Sequence, residues 1–319
     1  MRSSPVPPRP PLSPPRPQPR PQPRSHLYVP ADQPRFLRSA ARTEADAVIL
    51  DLEDAVAPAR KDDAREAAVG FALGRPAAGG PELWVRVNGG ARGLDDARAL
   101  LATGRIDGLW MPKATAGAEL DTLAAAVDAA VTATGGSVAL GLLVESAEGV
   151  LSLGVAARHP AVRRIQLGEV DLRADLRMEP DSARGDGLLD WARGPVVAHT
   201  VAHGLECAVA PVSVHTSDRA AFRASSLRLR ALGFQGRACI HPDQVAVANE
   251  VFGTDPAALA DAHALLDLFE RHEREGSGAF RDGRGAMADA ATVRRARDLT
   301  GRTAAPAPAP APEDRPDAD

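Results

Sequence analysis

Aromatic residues, cysteines and long apolar runs are scarce in this 319-residue sequence. Aromatic side chains make up 3% of the chain and the formal net charge is −4, so it offers neither the basic face nor the stacking side chains typical of nucleic-acid binding. The longest apolar stretches, such as residues 138–144, are far shorter than the roughly 20 residues of a bilayer span. We therefore expect no nucleic-acid partner and no membrane association.

The two cysteines, Cys207 and Cys239, lie far apart and match no metal or redox spacing. We interpret both as small buried hydrophobic residues, which fits a reducing cytoplasm.

Both ends of the chain have a composition unlike the rest. Residues 1–24 are dominated by proline, arginine and serine, contain no acidic residue and are followed by no apolar targeting segment. Residues 303–319 alternate alanine with proline and then become acidic. These compositions predict two disordered, extended tails around a folded domain of residues 25–302.

Within that domain, short apolar runs alternate with alanine-rich stretches of helical period, a pattern typical of repeated βα units. The predicted strands are 26–29, 47–52, 82–87, 108–111, 138–144, 163–167, 206–209 and 237–240. The predicted helices are 33–42, 60–73, 94–103, 118–134, 147–156, 187–203, 217–231, and 242–252 with 256–275. Eight such units predict an α/β fold, a (β/α)8 TIM barrel with a C-terminal helical extension. A doubly wound open sheet is the alternative, but its glycine fingerprint is absent from the first turn.

Polar residues lie at or just beyond the ends of many of the predicted strands, and in such barrels the chemistry lies at this C-terminal rim. These residues are Asp51, Glu53, Asp54, Arg86, Asn88, Lys113, Glu145, Glu169, Asp171 and His241.

Glu145 and Asp171 end neighbouring predicted strands and lie 26 positions apart, which is one βα repeat. Two adjacent carboxylates, completed by water and substrate oxygens, are a common way to hold Mg²⁺. From the pattern alone, either acid could instead pair with an arginine or cap a helix.

Arg86 lies inside an apolar strand, where an unpaired guanidinium would be costly, so it should face an acid or an anionic ligand. Asp51, Glu53 and Asp54 are the acids at hand, and they could also orient Arg86 toward a ligand. His241 precedes Pro242 at the start of a helix, where a structural hydrogen bond is the favoured role.

Eight stretches resemble the citrate lyase β-subunit-like branch of the HpcH/HpaI aldolase family and together span almost the whole folded domain. They are RSHLYVPADQPR (24–35), ADAVILDLEDAVAPARKDDAR (45–65), WVRVNG (84–89), GLWMPKA (108–114), LLVESAEGV (142–150), QLGEVDLRADL (166–176), ALGFQGRACIHPDQV (231–245) and GRGAMADAATVRRAR (283–297).

The resemblance implies Mg²⁺ ligation by Glu145 and Asp171 and substrate contact by Arg86. We also expect Glu145 to contact the substrate, and Asp51, Glu53 and Asp54 to support Arg86 from behind. It also implies a homotrimer or larger homo-oligomer in which Asp289 reaches a neighbour's active site as an acid–base group. The alternative for Asp289 is a helix N-cap.

The implied reaction is cleavage of a 3-hydroxyacyl-CoA thioester, of malyl-, citramalyl- or citryl-CoA type, into an acyl-CoA and a 2-oxo acid. A thioesterase of the same fold and a citrate lyase β subunit acting on an acyl carrier are the alternatives. Ser146, Glu169 and the loop 211–218 depart from the usual family pattern, which leaves the substrate open.

Overall fold

The computed structural model describes residues 22–76, 79–179, 185–274, 280–281, 285 and 287–301. The predicted tails lie outside the described residues, except for residues 22–24. The chain divides into two compact units, one of which is Gln22–Gly253 and the other of which contains the described residues from Thr254 onward.

The first unit is a closed barrel in which eight parallel strands are paired in sequence order, with β8 returning to β1. This confirms the predicted (β/α)8 fold. The strands are β1 (Ser25–Pro30), β2 (Ala47–Asp51), β3 (Glu82–Arg86), β4 (Gly108–Met111), β5 (Ala139–Val144), β6 (Val162–Leu167), β7 (Cys207–Ala210) and β8 (Gly236–Cys239). Each differs from its predicted range by at most one or two residues at either end.

Helices surround this barrel and connect its strands. They are α1 (Pro34–Ala40), α2 (Lys61–Gly74), α3 (Gly90–Leu101), α4 (Ala118–Thr134), α5 (Ala147–Ala156), α6 (Glu169–Asp175), α7 (Gly185–Ala202), α8 (Arg219–Ala231) and α9 (Pro242–Val251). The short helix α6 was not predicted, because its seven residues span only two turns and give too little periodicity to recognise.

The barrel interior is filled by side chains that alternate with those packing against the helices. Ile49, Trp84 and Trp110 belong to the inner cluster, whereas their strand neighbours pack outward. The two indole rings lie 5.4 Å apart between centroids. Gly108 and Gly141 make this packing feasible, since a Cβ at either position would overlap an indole ring.

Charged side chains occupy the part of the interior near the start of β3. Arg164, only 2% exposed, pairs with Glu82 and Glu206 at 2.5 and 2.9 Å, and its guanidinium lies 4.6 Å from the Trp84 ring centre. Two carboxylates thus compensate this buried cation, and one of them, Glu206, also pairs with Arg163 at 3.0 Å. Burial lowers the pKa of the nearby His26 to about 3, so this imidazole is neutral.

The second unit contains α10 (Pro256–Arg274), the antiparallel pair β9 (Phe280–Arg281) and β10 (Met287–Ala288), and α11 (Ala290–Gly301). Val293 and Ala288 pack in a small cluster with α10 residues such as Leu265 and Phe269. In the part of the chain that the structure describes, no helix combines the length and apolarity needed to cross a bilayer.

Candidate active site at the C-terminal rim

The closed barrel brings the ends of separate strands to one rim. Asp51 and Arg86 are the last residues of β2 and β3 and are paired in register. Glu145 follows β5 directly, and Asp171 lies in the first turn of α6 after β6. Because parallel strands end on the same side, residues far apart in sequence lie close together here.

Arg86 is buried and is held by Asp51 through two hydrogen bonds. Its Nε donates to Asp51 Oδ1 at 2.8 Å and its Nη2 to Oδ2 at 2.5 Å. Burial by itself would lower the pKa of Arg86, but the hydrogen bonds and charge of Asp51 outweigh it and raise the pKa above its usual value. The predicted ion pair is therefore present, and it fixes the plane of the guanidinium.

Two further acids and one ring surround the same guanidinium. Arg86 Nη1 lies 3.0 Å from Glu53 Oε2 and 3.5 Å from Asp54 Oδ2. The Tyr28 ring centre is 5.3 Å from the Arg86 Cζ atom. Glu53 also accepts a hydrogen bond from Lys113 Nζ at 3.0 Å. The acids of the β2 end thus orient Arg86, as the sequence predicts.

Glu145 is a buried carboxyl group, 3% exposed, whose Oε1 accepts a 2.7 Å hydrogen bond from the backbone N–H of Lys113. Burial, together with the negative charge of Asp171, raises the pKa of Glu145 to about 8, although the hydrogen bond from the Lys113 N–H opposes this rise. A cation between the two acids would remove both unfavourable effects, since burial and like-charge repulsion both penalise the ionised form.

Asp171, in the first turn of α6, is the second carboxylate available to such a cation. Its neighbour Glu169 binds Arg193 through two hydrogen bonds of 2.7 and 2.9 Å, so that acid is already neutralised. Among the described residues, no ion-pair partner accompanies Asp171. The acidic departure from the family pattern at Glu169 therefore adds no free charge beside Asp171.

The donor set suits Mg²⁺ better than a thiophilic metal. Within the described part of the chain, no three histidine, cysteine or acidic side chains form a metal-binding group. Mg²⁺ is usually held by only one or two carboxylates, with water and substrate supplying the other ligands. Glu145 and Asp171 fit that requirement.

Tyr28 and Gln166 contribute to the interior beside the rim and were not identified from the sequence. The Tyr28 hydroxyl donates to Gln166 Oε1 at 3.0 Å, and burial raises the pKa of Tyr28 above its usual value. Both are polar residues inside apolar strands, the same signal that identified Arg86, and it could have found them.

Three other candidates have structural roles. Asn88 Nδ2 donates to the buried Asp96 of α3 at 2.6 Å. Ser146 caps α5 by accepting from the Gly149 N–H at 3.0 Å. His241 caps α9 by accepting from the Asp243 N–H at 3.2 Å, which agrees with the role favoured from the sequence.

Asp289 lies in the second unit and precedes α11. Its Oδ1 accepts hydrogen bonds from the N–H groups of Thr292 and Ala291 at 2.9 and 3.0 Å. These bonds, that of Thr292 first, lower the pKa of Asp289, so it is a carboxylate at neutral pH. The N-cap alternative is thus realised, and its exposed carboxylate keeps acceptor capacity for a second role.

The fold and site define a (β/α)8-barrel protein with a buried acid–arginine cluster at its C-terminal rim. The profile of the HpcH/HpaI aldolase/citrate lyase family matches residues 24–242. This chain belongs to that family.

Individual members of this family with known activities or structures are similar to this chain. The L-malyl-CoA/β-methylmalyl-CoA lyase of Rhodobacter capsulatus is 33% identical over 296 residues, which cover 85% of this chain and 91% of that protein. A (3S)-malyl-CoA thioesterase of Cereibacter sphaeroides is 35% identical over 259 residues, covering 80% and 85%. The structure of CitE from Mycobacterium tuberculosis in complex with magnesium, acetoacetate and coenzyme A is 30% identical, with a TM-score of 0.67 and coverage of 88% of this chain and 97% of that one. The predicted family and class, a carbon–carbon lyase of CoA thioesters, are confirmed.

Proposed function

We propose that this protein is a Mg²⁺-dependent lyase that cleaves a 3-hydroxyacyl-CoA thioester of the malyl-, citramalyl- or citryl-CoA type into an acyl-CoA and a 2-oxo acid. The observation that carries this proposal is the placement of the buried Glu145 carboxyl and of Asp171 at neighbouring strand ends, on the rim that also holds Arg86. The 33% identity to a malyl-CoA lyase supports the same chemistry.

Glu145 and Asp171 would hold Mg²⁺, which supplies Lewis acidity toward the oxygens of the 2-oxo acid. The two carboxylates would balance the formal 2+ charge of the ion. Because the substrate would bind the same ion, Glu145 would also lie in contact with the substrate. Magnesium in the CitE structure supports this choice of metal.

Arg86 is suited to stabilise the negative charge that develops on the thioester oxygen as the carbon–carbon bond breaks. Asp51 and Glu53 hold the guanidinium in place before substrate arrives, so little reorganisation is needed during the reaction. Its burial strengthens this interaction, because few water molecules screen it.

The bond changes balance without a further reactant. The substrate hydroxyl loses its proton, the carbon–carbon electron pair passes to the thioester enolate, and a proton returned to the acyl carbon completes the acyl-CoA. Asp289, a carboxylate at neutral pH, would accept the proton from that carbon in the direction of bond formation, and once protonated would return it in the direction of cleavage.

We propose that Asp289 acts from a neighbouring subunit, in a homotrimer or larger assembly. Asp289→Ala should then lower turnover by about 10²–10⁴. Mixing the inactive Asp289→Ala and Glu145→Gln proteins should restore part of the activity, because some sites would combine an intact metal centre with an intact Asp289. Subunit exchange, verified by native mass spectrometry, without any gain in activity would rule out the shared site.

A thioesterase is the second candidate, and it is supported by the 35% identity to a malyl-CoA thioesterase. In that case a water molecule attacks the thioester carbon and releases CoA. A citrate lyase β subunit working on an acyl carrier is the third, in line with the similarity to the structure of a citrate lyase β subunit from Mycobacterium tuberculosis.

Incubation of the purified protein with Mg²⁺ and a panel of 3-hydroxydicarboxyl-CoA thioesters, followed by mass spectrometry, separates these candidates. A lyase converts the substrate into a shorter acyl-CoA and a 2-oxo acid, whereas a thioesterase releases free CoA and the intact hydroxy acid. Glu145→Gln is the matched control and should form neither product. If wild type leaves every CoA thioester intact but cleaves the carrier-bound analogue, the third candidate is correct.

We further propose a cytoplasmic location. Cys207 and Cys239 are buried and unbridged, which supports a reducing compartment.

A further inference from the structure

Lys113 has an unusual backbone conformation at the candidate site. It lies two residues beyond the end of β4 and has φ of +46°. Among the described residues, only Lys113 and Arg177 combine a side chain with a positive φ. A non-glycine residue in the left-handed region costs roughly 1–2 kcal/mol, so a glycine would be the unstrained choice.

The backbone of Lys113 contacts the candidate metal ligand. Its N–H donates to Glu145 Oε1 at 2.7 Å, and the next N–H, that of Ala114, donates to the Leu143 carbonyl at 3.0 Å. The turn therefore stays attached to β5 while it directs one N–H to the carboxylate. With Oε1 engaged, the second oxygen of Glu145 is left to bind a metal.

Gly168 confines Glu145 from the side of β6. A Cβ at this position would lie 2.7 Å from Glu145 Cβ and 2.8 Å from Glu145 Oε2. The Glu145 side chain therefore packs directly against Gly168, while the Lys113 N–H holds its Oε1.

The side chain of Lys113 explains why this position holds a lysine despite the cost. Its Nζ lies 3.0 Å from Glu53 Oε1, while the other oxygen of Glu53 lies 3.0 Å from Arg86 Nη1. One residue thus contacts Glu145 through its backbone and the Arg86-binding acid through its ammonium group.

We propose that Lys113 is a positioning residue that orients Glu145 for Mg²⁺ through its left-handed backbone and links the metal ligand to the Arg86–Glu53 pair. This inference rests on the proposed metal role of Glu145. Partners of this kind, which contact a ligand and not the metal, typically contribute about 10- to 100-fold to metal affinity.

The test compares substitutions that all remove the ammonium group but differ in their tolerance of a positive φ. Lys113→Gly and Lys113→Asn retain the turn, whereas Lys113→Val disfavours it. Calorimetric titration of the metal-free proteins should show that the Gly and Asn variants bind Mg²⁺ with an affinity similar to that of wild type. The Val variant should bind Mg²⁺ about 10- to 100-fold more weakly than wild type. Lys113→Ala should lie between them, and it replaces the Val variant if that protein does not fold.

Arg177→Val is the matched control, because it places a β-branched residue at the other positive φ, 55°. It should lower the melting temperature as Lys113→Val does, yet leave the Mg²⁺ affinity unchanged. In steady-state assays, Lys113→Gly should lower kcat about tenfold with little change in KM, because Glu53 loses the ammonium group that helps it to hold Arg86 for the transition state.

Two failures are distinguishable. If wild type and Glu145→Gln bind Mg²⁺ equally, the metal role of Glu145 is wrong, whatever the Lys113 variants do. If Glu145→Gln abolishes binding but the folded Gly, Ala and Val variants bind Mg²⁺ equally, the metal site stands and the positioning role of Lys113 is refuted.

Discussion

Replacing Glu145 by glutamine should stabilise the metal-free protein at alkaline pH, even though it removes a candidate metal ligand. Burial and the charge of Asp171 raise the pKa of Glu145 from 4.5 to about 8. The folded protein therefore holds the proton of the Glu145 carboxyl group more tightly than the unfolded chain does. Stability is lost as pH rises through this interval, because the unfolded chain ionises freely while the folded protein resists ionisation.

The size of this loss of stability follows from the difference between the two pKa values. At about 1.4 kcal/mol for each pH unit, the interval from 4.5 to about 8 corresponds to roughly 5 kcal/mol at pH 9. Glutamine carries no charge and still offers an oxygen to the Lys113 N–H, so it escapes most of this cost. We expect Glu145→Gln to gain about 3–5 kcal/mol in free energy of unfolding, relative to wild type, between pH 5 and pH 9.

Urea unfolding at both pH values in the presence of a chelator measures this difference. Glu148→Gln, at an exposed acid of α5, is the control and should differ from wild type equally at pH 5 and pH 9. Mg²⁺ at about 100 times its dissociation constant should add about 2.7 kcal/mol to wild type and nothing to Glu145→Gln. If the difference in free energy of unfolding between Glu145→Gln and wild type is the same at pH 5 and pH 9, the raised pKa of Glu145 would be falsified.

Three further predictions concern the fold and can be measured by urea or thermal unfolding. Gly141→Ala should destabilise the barrel by about 1–3 kcal/mol, because the added methyl overlaps the Trp110 ring; wild-type stability would contradict the interior packing. Arg164→Met should cost about 3–5 kcal/mol at pH 7, since it leaves Glu82 without its cation while Glu206 keeps its ion pair with Arg163, and much of that loss should disappear at pH 4. Removing residues 1–21 should leave the melting temperature unchanged, whereas removing 1–24 should lower it, because Arg24 donates to Asp46 at 2.7 Å.

Much of the barrel could be predicted from the sequence because its signals are local. Each strand is a short apolar run and most helices are long enough to show their period, so all eight strands were located to within a residue or two at each end. The rim followed from the same reasoning, since the C-terminal ends of parallel strands must meet on one side. Helix α6 was not predicted because two turns are too short to show a helical period in the sequence.

The site residues illustrate the limits of this reasoning. That Arg86 must face an acid followed from its position in an apolar strand. Which of three acids takes most of its hydrogen bonds did not follow, because Asp51, Glu53 and Asp54 are equally near in sequence. The structure assigns Asp51 two hydrogen bonds and leaves Asp54 at 3.5 Å.

The order of the βα units, and the strand ends at which acids and bases occur, can be read from the amino-acid sequence. That Arg193 pairs with Glu169 while Asp171 lies beside Glu145, and that Lys113 adopts a left-handed conformation to reach that carboxylate, is visible only in the folded barrel. The physical reason is that apolar periodicity belongs to a single segment of chain. Burial, ion pairing and the pKa of a carboxyl group depend instead on segments that only the closed barrel brings together.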